Sequence, residues 1–124
     1  DFREIVEFNN IPFHFLPIEK NLDSKKKQES LFQKVVDDSG AGMIVLARYM
    51  QILSNKMCED FYGKIINIHH SFLPSFRGAR PYHQAWERGV KLIGATAHYV
   101  TPELDEGPIL DQDIASVNHN DTTE

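Results

Sequence analysis

Two short stretches gather residue types able to do acyl chemistry. In Ile65-Ile66-Asn67-Ile68-His69-His70 an amide and two imidazoles close an apolar run, and between Val100 and Leu110 three carboxylates, Glu103, Asp105 and Glu106, crowd a turn between two apolar segments. If the first run is a strand, Asn67 and His69 project to one side with Cα atoms about 6.6 Å apart, while His70 projects to the other. An amide donor and an imidazole so placed can converge on one substrate oxygen, with Ile66 and Ile68 anchoring the opposite face in the core. Taken alone, the pair is equally well read as satisfying loop backbone groups. Asp105 is the second signal. It is held between Leu104 and the Gly107-Pro108 turn, which also follows the carboxyl end of a strand, so it can face the same cleft. Glu103 and Glu106 read as solvated loop carboxylates. Asn67, His69 and Asp105 together would supply a neutral donor, a titratable imidazole and a carboxylate, the set needed for acyl transfer without a covalent nucleophile.

Other chemistries fit less well. His69, His70, His98 and Asp105 are metal-ligand types, but adjacent histidines point to opposite faces of a strand and no helical i, i+4 histidine pair exists, so no metal is expected. His98 and Thr96 share a strand face, which suits a supporting role behind the site and equally suits core packing. His14, His83 and His119 read as surface residues. There is no GxGxxG, P-loop or GxSxG, so dinucleotide, nucleoside triphosphate and serine-hydrolase readings lack support. The single cysteine, Cys58, excludes an internal disulfide and a cysteine-based zinc site and reads as core packing.

These residues need a scaffold. At 124 residues, 41% hydrophobic and 25% charged, the chain fits one globular domain. Net charge is −5 and the one basic run, Lys25 to Lys27, opens a candidate helix, so nucleic acid is not expected as a partner; the apolar stretches fall short of a bilayer span. Phe2, Ile5 and Phe8 recur at helical spacing. Phe13–Leu16, bounded by Pro12 and Pro17, suits a strand near a sheet edge. Ser24–Ser39 reads as a helix with an apolar stripe of Leu31, Phe32, Val35 and Val36 and Gly40 in the stop position. Met43–Ala47 is a strand, Ser54 caps a short helix, and Lys64–His69 is the next strand. Pro81 takes a first helical position, Tyr82–Arg88 follows, and Gly89 ends the helix. Leu92–Val100 and Ile109–Val117 are strands too close in sequence for a parallel crossover, so they form an antiparallel hairpin. The alternation predicts an α/β fold with a mainly parallel sheet, helices on both faces and ligands outside the carboxyl ends of the strands. Asp1 opens without an initiator Met and the chain stops at Asp121–Glu124, so the sequence reads as a partial domain.

Read in order, LARYMQILS, IINIHHSFLPSFRGARPYHQA, GVKLIGATAHYV and LDEGPILDQD resemble the formyltransferase-fold family and, within it, the formyltetrahydrofolate deformylases. The likeness covers nearly the whole chain. The family's Asn-x-His strand end and Leu-Asp-x-Gly-Pro turn carry over as Asn67, His69 and Asp105, the catalytic residues the resemblance implies. It further implies that Tyr49, Met50, Gln51, Ile52 and Leu53 line a folate pocket with main-chain groups and that Val100, Thr101 and Leu104 close over the pterin. By composition alone Met50, Ile52 and Leu53 are packing residues. His70 stands where the transferases usually carry Pro or Gly, which tilts the reading towards hydrolysis and places it among the substrate contacts. The implied architecture is a Rossmann-like formyltransferase-type domain over residues 1–124, partial because a regulatory N-terminal domain, a first strand-helix unit and a C-terminal helix are absent. The implied activity is hydrolysis of 10-formyltetrahydrofolate to tetrahydrofolate and formate, supplying formate for one-carbon and purine metabolism. Folate is then the substrate, with no separate cofactor and no metal, in a cytoplasmic homo-oligomer touching neither nucleic acid nor membrane. The alternatives are a folate-dependent formyltransferase acting on an amine such as glycinamide ribonucleotide, and a non-catalytic folate-binding module.

Overall fold

The computed structural model describes residues 2–17, 22–49, 51–75, 80–118 and 120–122. They fall into two compact units, Asp1–Ala41 and Gly42–Glu124.

The first unit holds α1 (Phe2–Phe8) and α2 (Leu22–Ser39). α1 has the expected spacing but buries none of its residues. α2 stops where Gly40 adopts φ +64°, a left-handed cap that glycine takes without Cβ strain. Of its expected stripe only Val36 is buried; Phe32 and Val35 are half-buried and Leu31 is exposed. Phe13–Leu16 is not a strand. Pro12 and Pro17 remove two ladder donors, and what fixes the segment is local: the Arg3 guanidinium lies 5.1 Å from the Phe13 ring centre, and Gln28 Nε2 donates to the Leu16 carbonyl at 2.8 Å.

The second unit is a four-stranded sheet in the order β1 (Ile44–Ala47), β2 (Ile65–His69), β3 (Leu92–Tyr99), β4 (Ile109–Ser116). β1 and β2 are parallel, joined through α3 (Asn55–Asp60), whose first turn is capped by Ser54 accepting from the Met57 N–H. β3 and β4 form the expected antiparallel hairpin, with a bulge that passes over Leu110. β2 and β3, however, are also antiparallel, so the sheet is mixed, not mainly parallel. The connection between them, which contains α4 (Pro81–Glu87), does not carry the chain back along β2. It stays at the same end instead, and His69 pairs with Thr96 while Ile66 pairs with Tyr99.

Directly paired residues share a sheet face, so Ile44 and Leu46 lie on one side with Ile65, Asn67, His69, Thr96 and His98. This is the buried side: Ile44, Leu46, Ile65, His69, Thr96 and His98 are all below 9% exposed. Ile66 and Ile68, expected to anchor a core on the opposite face, are only half-buried. That face also carries Val45, exposed at 59%, so the apolar anchor of β2 is Ile65, beside the polar pair rather than behind it. Leu53, Met57, Cys58, Phe61, Leu73, Pro81 and Ala85 are buried as well. No helix among the described residues is long and apolar enough to cross a membrane.

Candidate active site

The strand period places Asn67 and His69 on one face of β2, as their spacing predicts. Asp105 joins them. Its Oδ1 lies 3.6 Å from His69 Nδ1, and both residues are buried. That separation is longer than a hydrogen bond and within ion-pair range when the ring is protonated. His98, facing Asn67 across the β2–β3 ladder, completes the cluster: its Nε2 is 3.3 Å from Asn67 Nδ2 and 3.8 Å from the same Asp105 oxygen. Its Nδ1 is 2.9 Å from the Tyr99 carbonyl oxygen, which can only accept. The network therefore assigns the His98 proton to Nδ1 and leaves Nε2 to accept from the Asn67 amide. One amide proton of Asn67 is so committed, and the other is available to a ligand.

Asp105 reaches this face by an unexpected route. Because β3 runs antiparallel to β2, its carboxyl end adjoins the start of β2, where the Val100 N–H donates to the Ile65 carbonyl at 3.0 Å. The carboxyl ends of the two strands are thus at opposite ends of the sheet, and the turn after β3 must fold back across the face to bring its carboxylate to His69. Two backbone features allow it. Asp105 has φ +55°, a left-handed conformation that Asp tolerates better than most residues. Gly107 packs so closely that a Cβ there would sit 1.7 Å from the Tyr99 carbonyl oxygen. The Tyr99 N–H donates to the Pro108 carbonyl at 2.9 Å, tying the turn to the strand it leaves.

A cleft of about 240 Å³ opens on this cluster. Its volume lies just below the roughly 300–1,000 Å³ of sites that engulf a drug-sized ligand, so it suits one ring system with its reacting group. Tyr49, Gln51, Ile52 and Leu53 form one wall, after β1, and Val100, Thr101 and Leu104 another, after β3. His70 also lines it. Met50 lies outside the described residues. Glu103, read from sequence as solvated, is exposed but borders the cleft, and its carbonyl accepts from Thr101 Oγ1 at 3.2 Å. Glu106 is exposed as expected, as are His14 and His83, whereas His119 lies outside the described residues.

His70 packs its ring 5.6 Å from those of His69 and Tyr82. Its pKa is lowered from the usual histidine value, first by partial burial and then by the positive potentials of His69 and Arg48, against a smaller opposing pull from Asp105.

With an Asn and a His on one strand face and an Asp brought beside them by the turn after β3, the sequence matches the formyl transferase family model over residues 3–124. The chain belongs to the formyl transferase family. It is 57% identical to a formyltetrahydrofolate deformylase of Corynebacterium sp. (strain P-1) over 96% of its length and 41% of that protein. Its structure superposes with a TM-score of 0.89 on a formyltetrahydrofolate deformylase from Pseudomonas syringae pv. tomato, 51% identical, covering 99% of this chain and 41% of that one. A phosphoribosylglycinamide formyltransferase from Anaplasma phagocytophilum superposes at 0.85 with 38% identity, covering 97% of this chain and 56% of that one. The chain thus spans about two-fifths of the length of the curated relatives it matches.

Within this formyl transferase chain, sequence reasoning undervalued one residue and missed two. His98 was open between support and packing; facing Asn67 was the signal, but only an antiparallel β2–β3 pair produces it. Arg48 lines the cleft in a left-handed conformation, φ +53°, that no local pattern announces. Gln112 carries no individual signal in the sequence, yet it bonds inward to Thr96.

Proposed function

We propose that the protein hydrolyses 10-formyltetrahydrofolate to tetrahydrofolate and formate, supplying formate for one-carbon and purine metabolism. The observation that carries this reading is the buried Asp105 carboxylate 3.6 Å from His69, on the face that presents the Asn67 amide to an apolar-walled cleft. Similarity to deformylases at about half-identical residues supports hydrolysis over transfer.

In this reaction water adds to the formyl carbon, and the carbonyl oxygen gains negative charge. The uncommitted Asn67 N–H and a protonated His69 donate to that oxygen, aimed where charge develops rather than where it rests in the substrate. Asp105 orients His69 and accepts the proton of the attacking water. Collapse breaks the bond between the formyl carbon and N10, which takes up a proton relayed through His69 or water, and formate and tetrahydrofolate leave. The walls after β1 and β3, with Tyr49, Gln51, Ile52 and Leu53 in one and Val100, Thr101 and Leu104 in the other, hold the folate ring through main-chain groups and apolar contact, with His70 beside the reacting group. The reading extends to a cytoplasmic homo-oligomer that uses no separate cofactor or metal and binds neither nucleic acid nor membrane.

The test is formate release from 10-formyltetrahydrofolate by the full-length protein, with and without glycinamide ribonucleotide. Hydrolysis gives one formate per tetrahydrofolate with no acceptor present. Turnover that requires glycinamide ribonucleotide and yields its formyl derivative would identify a transferase, and folate recovered unchanged after binding would identify a non-catalytic module.

A further inference from the structure

We infer that Thr96 and Gln112 are positioning residues for His69 and His70, acting through the loop that follows β2. Thr96 faces His69 in one ladder and Gln112 in the next, so the three form a polar row across the sheet. Thr96 is fully buried. Its hydroxyl donates to the Ser71 carbonyl at 2.8 Å and accepts from the Leu73 N–H and from Gln112 Nε2, both at 3.0 Å. That uses its whole capacity of one proton and two lone pairs. Gln112 Nε2 also donates to the Leu73 carbonyl at 3.0 Å. Ser71, itself buried, donates from Oγ to the Ser75 carbonyl at 3.1 Å.

β2 ends at His69, so the sheet ladder stops holding the chain where the reacting ring sits. Two side chains from the next strands take over, gripping three main-chain groups within four residues of that ring. Valine would fill the volume of Thr96 in an apolar layer; a fully paired hydroxyl is instead expected where a buried polar network specifies one geometry. With Ser71 fixed, the His70 ring is set against His69 and Tyr82, and the His69 imidazole cannot swing from Asp105.

This inference rests on the hydrolase reading, and the experiment separates the two. In full-length protein, Thr96→Val, Thr96→Ser, Gln112→Met and the double variant Thr96→Val/Gln112→Met are compared for kcat and KM of formate release and for hydrogen-exchange protection of the Leu73 amide. Thr96→Val should lower kcat of the folded protein about ten- to hundred-fold, with KM within about threefold, because the reacting ring is misplaced rather than the folate wall. Leu73 protection should fall with it, and Thr96→Ser should restore both to within about threefold. The double variant should be no worse than about the poorer single one, since both act through one loop. If Thr96→Val fails to fold, Gln112→Met, half-buried at the clamp's edge, carries the same comparison. Leu73 protection lost with kcat intact, or a serine that restores nothing, overturns the positioning role and leaves hydrolysis standing. Wild-type protein that releases no formate overturns the hydrolase reading and the inference with it.

Discussion

Gly107→Ala tests whether close approach of the turn to β3 is what holds Asp105 against His69. The added Cβ would meet the Tyr99 carbonyl oxygen at 1.7 Å, whereas real Cβ atoms keep beyond 3.0 Å, so one backbone must retreat by about 1.3 Å. Tyr99 is the less free of the two: it pairs with Ile66, and its carbonyl accepts from His98 at 2.9 Å. The turn therefore moves, and Asp105, two residues away, moves with it. Opening the 3.6 Å pair by that amount gives about 4.9 Å. For a protonated ring at an effective dielectric of about 20, the lost attraction is about 1 kcal/mol, close to tenfold. Misplacing a reacting group by about 1 Å can itself cost about a hundredfold. The expected drop in kcat thus lies between about ten- and a hundred-fold, with about 1–3 kcal/mol of stability lost to overpacking. Single-turnover formate release and a thermal melt on the full-length protein measure both. An alanine variant that melts lower yet keeps kcat within threefold would refute the link between the turn's packing and the carboxylate's position.

Asp105→Asn keeps the shape and removes the charge: turnover should fall by about two to three orders of magnitude with the fold nearly intact, read by formate release and circular dichroism, and near-normal turnover would remove Asp105 from the mechanism. His70 has a lowered pKa in the folded state, so unfolding takes up a proton once pH falls below about 6.5, the unfolded value. The stability it contributes is present above that pH and lost as pH falls towards the folded value; a His70→Gln protein should therefore lose less urea stability than wild type between pH 7.5 and 5.5, and equal losses would contradict the shift. Ser54→Ala removes the α3 cap at Met57 and should cost about 1 kcal/mol in a denaturant titration while leaving kcat unchanged.

Much of the site was legible because its residues sit on strict periods. Asn67 and His69 share a face for the simple reason that strand side chains alternate, and α2 stops at Gly40 because the backbone there turns left-handed. Strand direction was not legible: nothing local in Pro81–Glu87 says that the chain fails to cross back, and that single fact moves the Asp105 turn to the far end of the sheet. Asp105 does come to His69, but by folding over the face and not by sharing an edge. Gln112 was illegible for another cause. The bulge at Leu110 resets which β4 residues face inward, and a one-residue slip exchanges every face.

The proton on His98 is allotted by main chain. Its acceptor is the carbonyl of the very next residue, Tyr99, so any molecule that has completed β3 has already chosen which ring nitrogen carries hydrogen. The orientation of the Asn67 carboxamide follows from that choice and not from whatever occupies the cleft. A carbonyl entering the pocket therefore meets a dipole aligned during folding, and no rotamer or tautomer change has to accompany its arrival.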